Sequence, residues 1–126
     1  MKIINTDKSP KAIGPYSQAV KFNQFLFTSG QIPIKPSTGL IVSQDFEKQV
    51  YQCLMNIKGI LEEENLSLHH IIKLTVYVID LNNFSKLNQV FEDFFKGNYP
   101  ARSAVEVSRL PKDSQVEIEA VCCYEN

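Results

Sequence analysis

"ARSAVEVSRLPKDSQVEIEAV", residues 101–121, holds two runs of alternating apolar and polar residues on either side of a proline-containing turn. A period of two marks strands with one face buried, and "RLPKD" (109–113) supplies turn chemistry between them. The simplest reading folds the two runs back on one another as a hairpin. With Leu110 facing Asp113, Val105 meets Ile118 and Val107 meets Val116 on an apolar face. The opposite face then carries Arg102, Ala104, Glu106, Ser108, Gln115, Glu117 and Glu119. A sheet with one apolar face needs a second layer to cover it.

That layer is legible upstream. From about Ser43, the residues Phe46, Val50, Cys53, Leu54, Ile57 and Leu61 recur at spacings of three and four, which predicts an amphipathic helix. Asn82 or Asn83 can cap a second helix striped by Phe84, Leu87, Phe91, Phe94 and Phe95 and ending near Gly97. Asn88 stands at the edge of that stripe. Between the helices, "IIKLTVYVID" (71–80) is β-branched and mostly apolar, as expected of a strand buried on both faces. "QFLFTSGQIPI" (24–34) reads as a strand interrupted at Ser29-Gly30, after a turn-rich segment "SPKAIGPYSQAV" (9–20). The order β-β-α-β-α-β-β gives an α+β fold: two helices on one face of a mainly antiparallel sheet.

With 126 residues and no composition break, repeat or low-complexity segment, the chain reads as a single domain over 1–126. Thirteen basic residues oppose fourteen acidic ones, a net charge of −1 that gives no overall field toward nucleic acid or an anionic membrane. No apolar run approaches the ~20 residues of a membrane span. "MKIINTDKSP" turns polar too soon for a secretory signal, so the expected compartment is the cytoplasm. Cys53, Cys122 and Cys123 lack the spacing of a disulfide framework or zinc site, and adjacent strand residues point to opposite faces. No metal site is expected.

Arg102 is the unusual residue. From its position it is a surface decoration, half of a structural ion pair, or an anchor for a small anion. Its planar fork matches a carboxylate with two parallel hydrogen bonds and stays charged at working pH. Pro100 helps fix the approach of its strand. In the hairpin reading Glu106 opposes Glu117, a like-charge pair that a cation, a ligand or a partner subunit should offset, Arg102 on the same face being a candidate. Glu117 is also a carboxylate able to take a proton from water.

"AIGPYSQAV" (12–20), "TSGQIP" (28–33), "YPARSAVEVSRLPKD" (99–113) and "VEIEAV" (116–121) together resemble the motifs of the Rid family, the YjgF-type reactive intermediate deaminases, and within it the RidA subgroup. The similarity runs nearly end to end. It implies a chorismate-mutase-like fold assembled as a homotrimer, with sites in clefts between subunits. It also implies hydrolysis of 2-imino acids such as 2-iminobutanoate and 2-iminopropanoate to 2-oxo acids and ammonia, without metal or organic cofactor. By the same resemblance Arg102 binds the substrate carboxylate and Glu117 positions the attacking water. Tyr16, Ser29, Gly30 and Asn88 line the pocket. Many relatives carry cysteine where this chain has Ala104, so its backbone carbonyl is left to hold the water. Glu106 and Glu119 are read as structural.

Two rival functions stay open at this level. A regulatory protein would bind a small carboxylate in the same cleft without turnover, and would have no use for a base at Glu117. A ribonuclease or translation inhibitor is the other; the balanced charge and absence of a basic-aromatic pattern count against nucleic acid.

Overall fold

The computed structural model describes residues 1–125. Eight strands and two helices follow in chain order: β1 (Lys2–Ile4), β2 (Ala19–Phe22), β3 (Phe25–Thr28), β4 (Ile34–Lys35), β5 (Leu40–Ile41), α1 (Phe46–Glu63), β6 (Ile71–Val78), α2 (Phe84–Phe95), β7 (Ala101–Glu106) and β8 (Val116–Cys123). Six strands form one sheet in the order β1-β2-β3-β8-β6-β7, while β4 and β5 make a separate small hairpin. Every neighbour in the large sheet is antiparallel except β6 and β7.

Both helices cover one face of this sheet, the expected α+β layering. The Asp45 carboxylate accepts the Lys48 amide and so starts α1. All six stripe residues of α1 are buried, against Leu26, Leu74, Val76, Ile118 and Cys122 of the sheet. Fully burying an aliphatic side chain of this kind stabilises by about 1.5–3 kcal/mol, so this face holds the layers together. Before α2, one 3-10 turn spans Leu81–Asn83. Asp80 caps it, and the Glu106 carboxylate accepts the Leu81 amide at 2.9 Å. Asn83 precedes α2 but gives it no side-chain cap. The helix stops where Lys96 and Gly97 turn to positive φ, +53° and +94°.

Three expectations need correction. The two C-terminal runs do not pair, because β6 lies between them, parallel to β7 and antiparallel to β8. Val105 therefore faces Tyr77 rather than Ile118, and Glu106 pairs with Val78 rather than opposing Glu117. Alternation reports that a strand is half-buried but not which strand lies beside it. Second, β6 is buried on one face only: Leu74, Val76 and Val78 face the helices while Lys73, Thr75 and Tyr77 stay partly exposed. Third, Arg102, Ala104 and Glu106 register with Leu74, Val76 and Val78 and so point to the helix side, away from Glu117 and Glu119. The sequence reading also passed over β2, which forms a hairpin with β3 around Asn23 at φ +54°.

Candidate functional site

Arg102 lies on β7, at the edge of the sheet and beside α2. Its Nη1 donates to Asn88 Oδ1 at 2.9 Å. The guanidinium carbon sits 4.9 Å from the centre of the Phe91 ring and 5.2 Å from that of Phe84. Aromatic faces favour a cation placed this way. The group is partly buried, and burial lowers its pKa from the ordinary arginine value. Among the described residues no carboxylate lies within ion-pair distance of it. A cavity of about 250 Å³ opens there, lined by Asn88, Phe91, Glu92, Tyr99, Pro100 and Arg102. A held guanidinium without an acidic partner, at the edge of a small cavity, is equipped to bind an anion. The pairing of Asn88 with Arg102 is a direct structural link between two predicted site residues. The Phe84 and Phe91 contacts are not legible in the α2 stripe, which reads as packing alone; Phe91 is indeed buried in the core, whereas Phe84 is exposed. Ala104 lies two residues beyond Arg102 on the same side of β7.

Glu117 occupies the other face. It sits on β8 opposite Tyr77, partly exposed, and packs against the backbone at Gly30. A Cβ on Gly30 would overlap the Glu117 carboxylate oxygen and stand 2.8 Å from its Cδ, so glycine is what lets the carboxylate occupy that place. Burial first, and then the charge of Glu119, raise the Glu117 pKa from the usual carboxylate value. A carboxylate shifted that way takes up a proton more readily at neutral pH.

The chain arrives at Gly30 along a constrained path. β3 ends at Thr28, whose hydroxyl accepts the Ala120 amide, and pairing resumes at Gln31 through two hydrogen bonds with Ile118. Both donors of Ser29 are engaged, its amide by Gln18 O and its hydroxyl by Ser17 O. Ser29 therefore fixes the loop and has no proton left to offer a ligand. Gln18 binds the chain from Thr6 to Pro10 through four hydrogen bonds. Those bonds carry Tyr16 to the wall of a cavity of about 890 Å³ that Gly30 also lines. The Tyr16 hydroxyl accepts the Ile13 amide at 3.4 Å and retains its own proton to donate.

The predicted site residues fall into two groups, candidate half-sites. Gly30, Tyr16 and Glu117 gather around the loop after β3; Arg102, Asn88 and Ala104 gather beside α2. Arg102 registers with Leu74 and Glu117 with Tyr77, so the two are on strands separated by β6, and their side chains leave opposite faces of the sheet. One subunit does not bring them together. Among the described residues there is no cluster of three or more metal-binding side chains, and no helix long and apolar enough to cross a membrane.

Known proteins resemble this chain over nearly its whole length. A family model described as Endoribonuclease L-PSP matches residues 6–124. A RutC family protein of Pyrococcus horikoshii is 54% identical over 124 residues, covering 98% of each chain. TdcF of Escherichia coli, named as a candidate reactive intermediate deaminase, is 48% identical over 123 residues and 95% of each chain. The crystal structure of E. coli TdcF with bound serine superimposes with a TM-score of 0.93 at 47% identity, covering 98% of both chains. That of the E. coli YjgF gene product gives 0.93 at 46% identity with the same coverage. Sequence and fold agree from end to end, and the chain belongs to the family that the Endoribonuclease L-PSP model describes, the YjgF/Rid family.

Proposed function

We propose that the protein hydrolyses reactive 2-imino acids, 2-iminobutanoate and 2-iminopropanoate among them, to 2-oxo acids and ammonia, in sites shared between the subunits of a homotrimer. The observation that carries this reading is the Arg102 guanidinium, held by Asn88 and two aromatic rings with no carboxylate in ion-pair reach among the described residues. The kinship with TdcF, named for deamination of reactive intermediates, and a TdcF crystal structure holding serine, an amino acid, support the substrate class.

In this mechanism Arg102 takes the substrate carboxylate by its free N–H groups. The imine nitrogen gains a proton, leaving C2 electrophilic. Glu117, assisted by the Ala104 carbonyl, orients a water on C2 and removes a proton as the C–O bond forms. The resulting carbinolamine loses ammonia as its hydroxyl becomes the carbonyl of the 2-oxo acid. Imines hydrolyse in water unaided, so positioning and modest base catalysis suffice. Gly30 gives the carboxylate of Glu117 its space, and Tyr16 walls the cavity and has a proton to donate.

The shared site follows from the two half-sites: a second copy must bring its Arg102 to the first copy's Glu117. The face of the sheet turned away from the helices is suited to such contact. Phe25 and Phe27 on it are 40% and 42% exposed, Ile3 and Phe22 each 55%, an apolar surface of the kind that marks protein contact.

The test couples the protein to a threonine dehydratase and follows loss of the imino acid, with semicarbazide trapping what remains. Faster disappearance in the presence of the protein supports the reading, and an unchanged rate rejects it. Glu117→Gln separates catalysis from simple capture: a hydrolase retains 2-oxo acid binding and loses turnover.

A further inference from the structure

Tyr77 on β6 lies directly opposite Glu117 on β8, and its hydroxyl donates not to Glu117 but to Glu119 Oε1, at 2.9 Å. Glu119 lies two residues along β8 on the same face. Two carboxylates so placed on one strand repel each other, and a free Glu119 would turn away toward water. The hydroxyl holds it in place. The bond, then Tyr77's own burial, then the charges of Glu119 and Glu117 raise the Tyr77 pKa, so the hydroxyl stays protonated and donating. Glu119 caps no helix, and no cation lies within ion-pair distance of it among the described residues. Its neighbours on this face include Phe27 and Val121, where an apolar residue would continue the surface.

We propose that Glu119, anchored by Tyr77, is a positioning residue that acts through Glu117: its fixed negative charge keeps Glu117 ready to take a proton from water. This rests on the role proposed above for Glu117. The surroundings favour the assignment. Gly30 brings no charge from the loop, and Val105 on β7, the residue beyond Tyr77, is apolar. Lys73 shares the face but registers with Val121, farther along β8 than Glu119. Beneath β8 the Cys53 thiol of α1 is buried, and burial together with the Glu117 charge raises its pKa well above the usual thiol value, which keeps it neutral. Among the described residues facing Glu117, Glu119 is the one that supplies negative charge.

Carboxylate titration by NMR, on protein labelled with carbon-13 at glutamate carboxyls, tests this without requiring turnover. Glu117→Gln identifies the Glu117 signal by its disappearance. In Glu119→Gln the Glu117 midpoint should fall by about half a pH unit. Tyr77→Phe should lower it by less, since the released carboxylate keeps its charge but moves into solvent. Adding Tyr77→Phe to Glu119→Gln should change nothing further. An unmoved midpoint in Glu119→Gln overturns the proposal, whatever the variant does to stability. A Tyr77→Phe shift of equal size with and without Glu119 overturns the anchoring. Should Glu119→Gln not fold, Tyr77→Phe, which frees the Glu119 carboxylate to move into solvent, must still lower the midpoint. The acid limb of kcat/KM toward a 2-imino acid should follow the NMR midpoint. If the protein proves to have no such activity, the titration still decides whether Glu119 governs Glu117.

Discussion

Arg102 is a permanent charge partly withdrawn from water, and its hydrogen-bonded partner, Asn88, is neutral. Such a group gains most when an anion arrives. Arg102→Ala should therefore cut kcat/KM by at least about 30-fold, from the ~2–5 kcal/mol that losing a charged partner costs. Arg102→Lys should recover little of it, because an ammonium cannot form the paired bonds or stack between Phe84 and Phe91. Steady-state kinetics on both variants checks this. Glu117 makes an opposite prediction for stability. Its pKa is raised in the fold, so the native state holds its proton to higher pH than the unfolded chain. Stability then falls as pH rises from the ordinary carboxylate value through the raised one, and stays lower above it. Glu117→Gln removes that cost: its melting temperature should match the parent at acid pH and exceed it at neutral pH, while turnover is lost. Thermal melts across pH read the difference.

At the scale of elements, the site depends on backbones that approach closely. Gly59, in the C-terminal part of α1, faces the Lys8 carbonyl; a Cβ there would overlap the carbonyl oxygen and stand 2.7 Å from its carbon. Gly59→Ala should therefore destabilise by about 1–3 kcal/mol in denaturant unfolding, although alanine is worth up to about 1 kcal/mol over glycine in a helix. Gly30→Ala differs, because its clash is with the far end of a side chain that can turn aside. There the fall in kcat should far exceed the loss of stability. Neither contact is legible in the sequence: Gly59 is merely a small residue in a helix, and Gly30 marks a break in a strand without disclosing that Glu117 fills the space beside it. The α1 stripe, the stop near Gly97 and the break at Ser29-Gly30 are legible, since each follows from local periodicity or backbone freedom. Strand partners are not: β8 enters between β3 and β6, and no local pattern distinguishes that from a hairpin with β7. Arg102 and Glu117 stood out by residue type and motif. That they leave opposite faces depends on registers set through β6, which only the folded chain displays.

On the scale of the whole molecule, opposite faces have a consequence that a one-subunit site lacks. If each site takes Arg102 from one copy and Glu117 from the next, two dead proteins can repair each other. Arg102→Ala supplies an intact Glu117, and Glu117→Gln an intact Arg102. Unfolded together in equal amounts and refolded, they assemble at random, and a ring interface then joins an intact Arg102 to an intact Glu117 in about a quarter of its sites. The mixture should recover about a quarter of the parent activity, although each variant refolded alone stays inactive. Mixing without unfolding should recover it only as fast as subunits exchange. The double variant Arg102→Ala/Glu117→Gln, refolded with either single variant, should restore nothing, because each of those mixtures lacks one of the two groups altogether. Activity confined to the complementary pair would place the chemistry between subunits, as the proposed pairing of Arg102 with Glu117 from opposite faces of the sheet requires. A refolded complementary mixture that forms trimers yet stays inactive would mean that Arg102 and Glu117 serve different sites.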